Sequence, residues 1–93
     1  MVKRFSRRRN PDYCDAVREL PCCICRRGLG RQLDRTVVHH VVTRGAGGDD
    51  VGGIVPICVT HHDEVHRMGA KSFNKKYDVV LKNIATEYAS EWI

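Results

Sequence analysis

The segment Cys58-Val-Thr-His61-His62-Asp-Glu-Val-His66 packs into nine residues the side chains best suited to hold a metal ion. Cys22-x-x-Cys25 and the pair His39-His40 complete the set, which takes in all five histidines and three of the five cysteines. On a helix beginning near Thr60, His62 and His66 are spaced i,i+4 and share a face. His61 lies roughly 100° around the axis from His62, because a helix has about 3.6 residues per turn. One ion therefore does not readily take both neighbours, whereas His61 can reach back to Cys58. The spacing predicts two metal sites. Cys22, Cys25, Cys58 and His61 match a closed, four-ligand structural zinc site, which favours sulfur and nitrogen donors in pairs two residues apart. His62 and His66 start a second, more open site, whose third ligand must come from His39 or His40. Three histidines with open positions are a catalytic rather than a structural arrangement.

Two rival chemistries fit less well. A redox Cys-x-x-Cys would open a helix within a βαβ unit, and no such unit surrounds Cys22. His62-Asp-Glu-Val-His66 falls one position short of the zinc-protease pattern, because Asp63 stands where the water-activating Glu is needed. Cys14 has no partner at metal spacing and reads as a buried small hydrophobe, and Cys23 as a bystander inside the knuckle.

The elements that must position these residues are short. Asn10-Pro11 forms a helix start, a cap followed by Pro at the first helical position, and the helix should run to about Leu20 before Pro21. Thr36 to Thr43 is rich in β-branched residues and reads as a strand. Gly45 to Gly53 reads as a loop, and it leads into an apolar run rather than a helix, unlike a phosphate cradle. Ile54 to Ile57 reads as a second strand, with Pro56 at an edge or as its last paired residue. Thr60 is the expected cap of the ligand helix, with Asp63 and Glu64 in its first turn and Gly69 ending it. A last helix is expected from near Ser72 to Trp92. Its buried stripe is read as Val80, Ile84, Tyr88 and Trp92, flanked by Leu81 and Ala85.

At 93 residues the chain is read as one domain. Domains of this size bury only about 60–65% of their unfolded surface, so a metal staple is a natural remedy. The first ten residues, MVKRFSRRRN, contain no apolar signal core, and no stretch is long and apolar enough for a membrane span. A reducing cytoplasm without membrane association is the expected setting, and there a Cys-x-x-Cys binds metal more readily than it forms a disulfide. The net charge is +5 with a pI near 9.2. Lys3, Arg4, Arg7, Arg8 and Arg9 form a basic arm over residues 1–10, and Arg26, Arg27, Arg31 and Arg35 follow the knuckle. Such clusters suit nucleic-acid phosphates. With only Phe5 and Tyr13 near them, backbone or groove contact is favoured over base stacking.

The order Cys-x-x-Cys, strand with His-His, glycine-rich loop, strand, then Cys-x-x-His-His-x-x-x-His resembles the HNH endonucleases, specifically the phage-type members with a zinc knuckle. The resemblance covers roughly Pro21 to His66, and His39-His-Val-Val-Thr-Arg-Gly-Ala-Gly-Gly48 is its most specific stretch. It implies an α+β fold: a small ββα-metal (His-Me finger) core over residues 21–66, a zinc knuckle, and flanking N- and C-terminal helices, the latter over 71–93. It implies His40 as general base, Arg44 as a phosphate contact, and His39, His62 and His66 as ligands of a catalytic ion. Cys22, Cys25, Cys58 and His61 would hold the structural zinc, His61 standing where most relatives have Cys. The family's middle Asn falls on Gly53, which leaves Asp49 or Asp50 to brace the base. The implied activity is phosphodiester hydrolysis, nicking duplex DNA with low sequence specificity to leave a 5′-phosphate and a 3′-hydroxyl. An all-nitrogen site favours Mn²⁺, Ni²⁺ or Co²⁺ over Mg²⁺. DNA is the expected partner, with no small-molecule substrate, and the chain should be bacterial or phage-encoded. It is expected to act as a monomer, with a dimer needed for double-strand breaks. The alternative is a non-catalytic, zinc-stabilised DNA-binding module or an accessory of a packaging or recombination complex.

Overall fold

A computed structural model describes residues 9–28, 31–32, 34–42 and 48–92. Lys3, Arg4, Arg7 and Arg8 of the basic arm, and Arg44, lie outside the described residues. The described residues form a small α+β structure, a two-stranded antiparallel sheet with four helices, in the order α1 (Pro11–Arg18), β1 (Thr36–His40), β2 (Ile54–Cys58), α2 (Val59–Met68), α3 (Ala70–Tyr77) and α4 (Leu81–Trp92). Among the described residues no helix is long and apolar enough to cross a membrane.

Helix α1 starts where its cap predicts. The Asn10 side chain accepts from the Tyr13 N–H at 3.1 Å, with Pro11 in the first turn. It stops at Arg18, two residues before the expected end, because the chain tightens ahead of Pro21. The Glu19 and Leu20 N–H groups bond three residues back, to Ala16 and Val17.

Thr36 pairs with Cys58 and His40 with Ile54, so the strand ends at His40 ahead of Val41 and Val42, and the expected limit Thr43 lies outside the described residues. Pro56 lies opposite Val38, with two further pairs beyond it, so it is not the last paired residue. Its carbonyl accepts the Cys23 N–H at 2.8 Å. That group points to the outer edge of β2, where Pro costs no ladder bond, and the same hydrogen bond docks the cysteine knuckle.

Cross-strand partners share a face of the sheet. Ile54 packs with Tyr13, Val17 and Val51 in one buried cluster. Val55 and Ile57 pack with Val65, Phe73, Leu81 and Ile84 in the other. The hairpin is thus buried on both sides, by α1 on one and by the later helices on the other. All five residues of β2 are buried.

Strand β2 runs into α2 without a loop, and this displaces the expected cap. Cys58 is the N-cap residue and makes no side-chain cap bond, while Thr60 lies within the first turn. Asp34 acts from outside instead, accepting from the Thr60 N–H at 3.3 Å and from its hydroxyl at 2.6 Å. These bonds, the hydroxyl one foremost, hold the Asp34 carboxyl below its usual range. Neither Asp63 nor Glu64 is in that first turn's acidic set. Gly69 does end the helix, at φ 83°.

The expected single C-terminal helix is two helices. Asp78 adopts the left-handed conformation (φ 54°, ψ 49°) and closes α3. The Leu81 N–H is then met by the Asn74 side chain at 3.4 Å. The break rotates the buried stripe of α4: Leu81, Ile84, Ala85 and Ala89 are buried, whereas Val80 is 51% and Trp92 42% exposed.

Candidate functional site

Among the described residues, two groups of side chains that could hold a metal converge, and they partition the residues as the spacing predicts. The donor atoms of Cys22, Cys25, Cys58 and His61 all lie within 4.8 Å of one another, and so do those of His39, His62 and His66.

The first group can hold a metal such as zinc. His61 Nδ1 stands 3.7, 3.5 and 3.1 Å from the sulfurs of Cys22, Cys25 and Cys58, and the Cys25 and Cys58 sulfurs are 3.8 Å apart. Tetrahedral bonds of about 2.3 Å to sulfur and 2.0–2.1 Å to nitrogen require S···S near 3.8 Å and S···N near 3.5 Å. The match needs no rearrangement beyond a few tenths of an ångström at Cys58. Cys22 is fully buried and Cys58 nearly so, which makes this a closed centre. Burial, then a hydrogen bond to Cys22, pushes the Cys25 thiol up to about 12, and burial raises Cys58 as well. Without a cation these sulfurs keep their protons, and a bound divalent ion displaces them.

Residues around the first group hold it in shape. The Cys25 N–H points to Cys22 Sγ at 3.4 Å, and the Cys22 N–H donates to Gln32 at 2.8 Å. The Tyr77 ring meets His61 edge-on at 5.3 Å, and Glu64 accepts from both the Tyr77 hydroxyl and Lys76. Sequence reasoning placed Glu64 only as a first-turn acid. Its actual partners lie on the next helix, invisible to spacing within one. Cys23 is buried, its thiol pushed to about 12 chiefly by burial, and it belongs to neither group. Cys14 is buried in the α1 cluster, as expected.

The second group is open. His62 and His66 share a face of α2 with their Nε2 atoms 3.0 Å apart, and His39 reaches over from β1. Its ring centroid lies 5.4 Å from that of His62 and 5.5 Å from that of His66. At metal–nitrogen bonds of about 2.1 Å, two ligands at right angles stand about 3.0 Å apart, so the His62–His66 spacing suits a six-coordinate ion with positions to spare. His66 is exposed and His62 half-buried. Burial lowers His39 to about 4, with the His62, His66 and His40 rings adding to the effect. Burial also lowers His62, helped by His66. Rings lowered in this way are neutral at pH 7 and have lone pairs for a cation.

His39 and His40 part ways at the strand. His39 pairs with Val55, on the α2 side, and His40 with Ile54, on the α1 side. The third member of the group that could hold an ion, which spacing left open between the two, is therefore His39. His40 Nε2 is 2.9 Å from Oδ1 of Asp50, whose side chain is only 1% exposed, against 24% for His40. Oδ2 of the same carboxylate accepts the Asn10 N–H at 2.7 Å.

Of the two acids weighed as a brace, Asp50 is the one bonded to His40. Gly53, where the family pattern has Asn, has no room for a side chain, since a Cβ there would stand 2.1 Å from the Asp49 carbonyl oxygen. Arg9, Arg26, Arg27, Arg31 and Arg35 are exposed, and Arg26 donates to the Tyr88 hydroxyl at 3.3 Å.

No family model, no curated protein and no solved structure matches this chain.

Proposed function

We propose that this chain is a metal-dependent endonuclease of HNH type that hydrolyses phosphodiester bonds in DNA, nicking duplexes with low sequence preference. The observation that carries the reading is the convergence of His39 from β1 with His62 and His66 from α2 into an open three-nitrogen group, with a carboxylate-bound His40 next to His39 in the strand. The closed Cys22, Cys25, Cys58 and His61 group would hold zinc as a structural staple, suited to a domain this small.

A divalent ion on His39, His62 and His66 would supply charge for a non-bridging phosphate oxygen and for the departing 3′ oxygen, with Mn²⁺, Ni²⁺ or Co²⁺ suited better than Mg²⁺. His40 is the base in this reading. It takes a proton from the attacking water as the water oxygen bonds to phosphorus and the P–O3′ bond breaks. The 3′ oxygen leaves with the electron pair and gains a proton from solvent. The products are a 5′-phosphate and a 3′-hydroxyl. Arg9, Arg26, Arg27, Arg31 and Arg35, with the arm residues Lys3, Arg4, Arg7 and Arg8, would meet the DNA backbone, and Arg44 the phosphate near the cut.

One observation favours a second reading. Because His39 and His40 leave the strand to opposite sides, the base and the metal group share only the end of β1. A zinc-stapled DNA-binding module, free-standing or as an accessory subunit, needs no such juncture. Relaxation of supercoiled plasmid with Mn²⁺ or Mg²⁺ separates the two. Metal-dependent open circles, abolished by EDTA and by both His40→Ala and His62→Ala, are expected of the nuclease. Intact plasmid with salt-sensitive retardation would overturn it in favour of the module.

A further inference from the structure

The Asp50 carboxylate is almost completely buried and holds two donors from distant parts of the chain: the Asn10 N–H on Oδ2 and the His40 ring on Oδ1. An ionised carboxylate can only accept hydrogen bonds. With Asp50 as carboxylate, the 2.9 Å contact has His40 Nε2 as the donor, and Nδ1 is the ring nitrogen left facing away from that carboxylate.

We propose that Asp50 is a positioning residue that locks His40 in the Nε2–H form, with Nδ1 as its working nitrogen, and pins the start of α1 beside that ring. The catalytic consequence rests on the nuclease reading, whereas the proton's location does not.

The loop makes this lock specific. Asp50 opens the turn Asp50-Val51-Gly52-Gly53, in which the Gly53 N–H returns to the Asp50 carbonyl at 3.4 Å and Gly52 takes φ 89°. The backbone that puts Asp50 under His40 is the same one that leaves no room for a Cβ at Gly53. A side chain at position 53 therefore requires the turn that carries Asp50 to shift. The Asn10 N–H adds a topological consequence. Arg9, exposed and next in the chain to Asn10, is thereby held near His40, where its charge would meet a nucleic-acid backbone.

Asp50→Asn tests the lock because both carboxylate oxygens are in use as acceptors. An amide has one acceptor and one donor end. If its oxygen stays on the Asn10 N–H, its NH₂ faces His40 and draws the ring to the Nδ1–H form. If it turns round, the NH₂ opposes the Asn10 N–H.

The measurement is long-range ¹H–¹⁵N NMR of the His40 ring in the full 93-residue, zinc-loaded chain at pH 8, wild type and Asp50→Asn. A wild-type ring protonated at Nε2, and a variant shifted to Nδ1–H or to a mixture, are expected. A wild-type ring protonated at Nδ1 overturns the proposal, as does a variant in which neither the His40 ring nor the Asn10 amide resonance moves, and the wild-type spectrum alone decides the first point if the variant does not fold. Plasmid nicking provides the second readout. Asp50→Asn should lower kcat by about 10–100-fold, the range for residues that orient a functional ligand, with KM little changed. A wild type that does not nick defeats the nuclease reading and leaves the NMR result to stand or fall alone.

Discussion

His61 and His62 are neighbours in the chain, yet their rings serve different groups. His61 directs Nδ1 at the Cys58 sulfur, 3.1 Å away, while His62 turns Nε2 toward His66 at 3.0 Å. A helix separates adjacent side chains by roughly 100°, and α2 places one group on each side of that angle. Closed and open centres are built from a single turn.

The two centres should therefore fail separately. Cys22→Ser or His61→Ala should remove a tightly held zinc and with it the folded state, because metal binding and folding are one equilibrium in small domains. His62→Ala or His66→Ala should leave the far-ultraviolet circular dichroism and the zinc intact and abolish binding of a weaker, exchangeable ion. Zinc content by elemental analysis and Mn²⁺ titration by calorimetry read the two. Loss of both ions in His62→Ala would contradict the partition.

Acid should loosen the His39 side of the molecule. Its folded-state value, lowered by burial to about 4 from 6.5, means the unfolded chain binds the extra proton first as pH drops. The contribution of the neutral ring is complete above 6.5 and is lost as pH falls toward 4. Urea midpoints at pH 7.5 and 5 should thus diverge more for the wild type than for His39→Gln, both zinc-loaded. Equal divergence would remove His39 as the source.

Gly53→Asn, which would install the residue of the HNH pattern, should impair rather than restore. The Cβ meets the Asp49 carbonyl oxygen, a backbone atom that cannot swing aside. Relieving such an overlap costs about 1–3 kcal/mol or more and displaces the turn that carries Asp50. Chemical denaturation should show the loss, and the His40 ring resonances should move. A variant as stable as the wild type would show that the turn can open.

Removing the metals by chelation should be graded. EDTA at low concentration should strip the open three-histidine group first and leave the fold, whereas stronger chelation should extract zinc and unfold the chain. Circular dichroism followed during chelator titration distinguishes this two-step course from a single collapse, which would argue for one coupled centre.

The two groups that could hold a metal were legible in the sequence because their logic is local. Cys22-x-x-Cys25 and Cys58-x-x-His61 are pairs set by one turn of chain, and His62-x-x-x-His66 by one turn of helix. The two strands and the helix ended by Gly69 follow from β-branched runs and that glycine, although the helix begins at Val59 rather than after a Thr60 cap. What the sequence determined by itself was therefore which residues group together and that there are two groups.

Other features depend on long-range contacts. Asp34 caps α2 from 26 positions away, and Asp50 meets both His40 and Asn10 across the sheet edge. The break at Asp78 replaces one long amphipathic helix with two, because the Asn74 side chain and the left-handed turn outweigh an otherwise unbroken helical pattern. Only the tertiary structure decided which of His39 and His40 joins His62 and His66. Spacing places them side by side, and the face each one takes is set by which core, that of α1 or that of α2, buries its cross-strand partner.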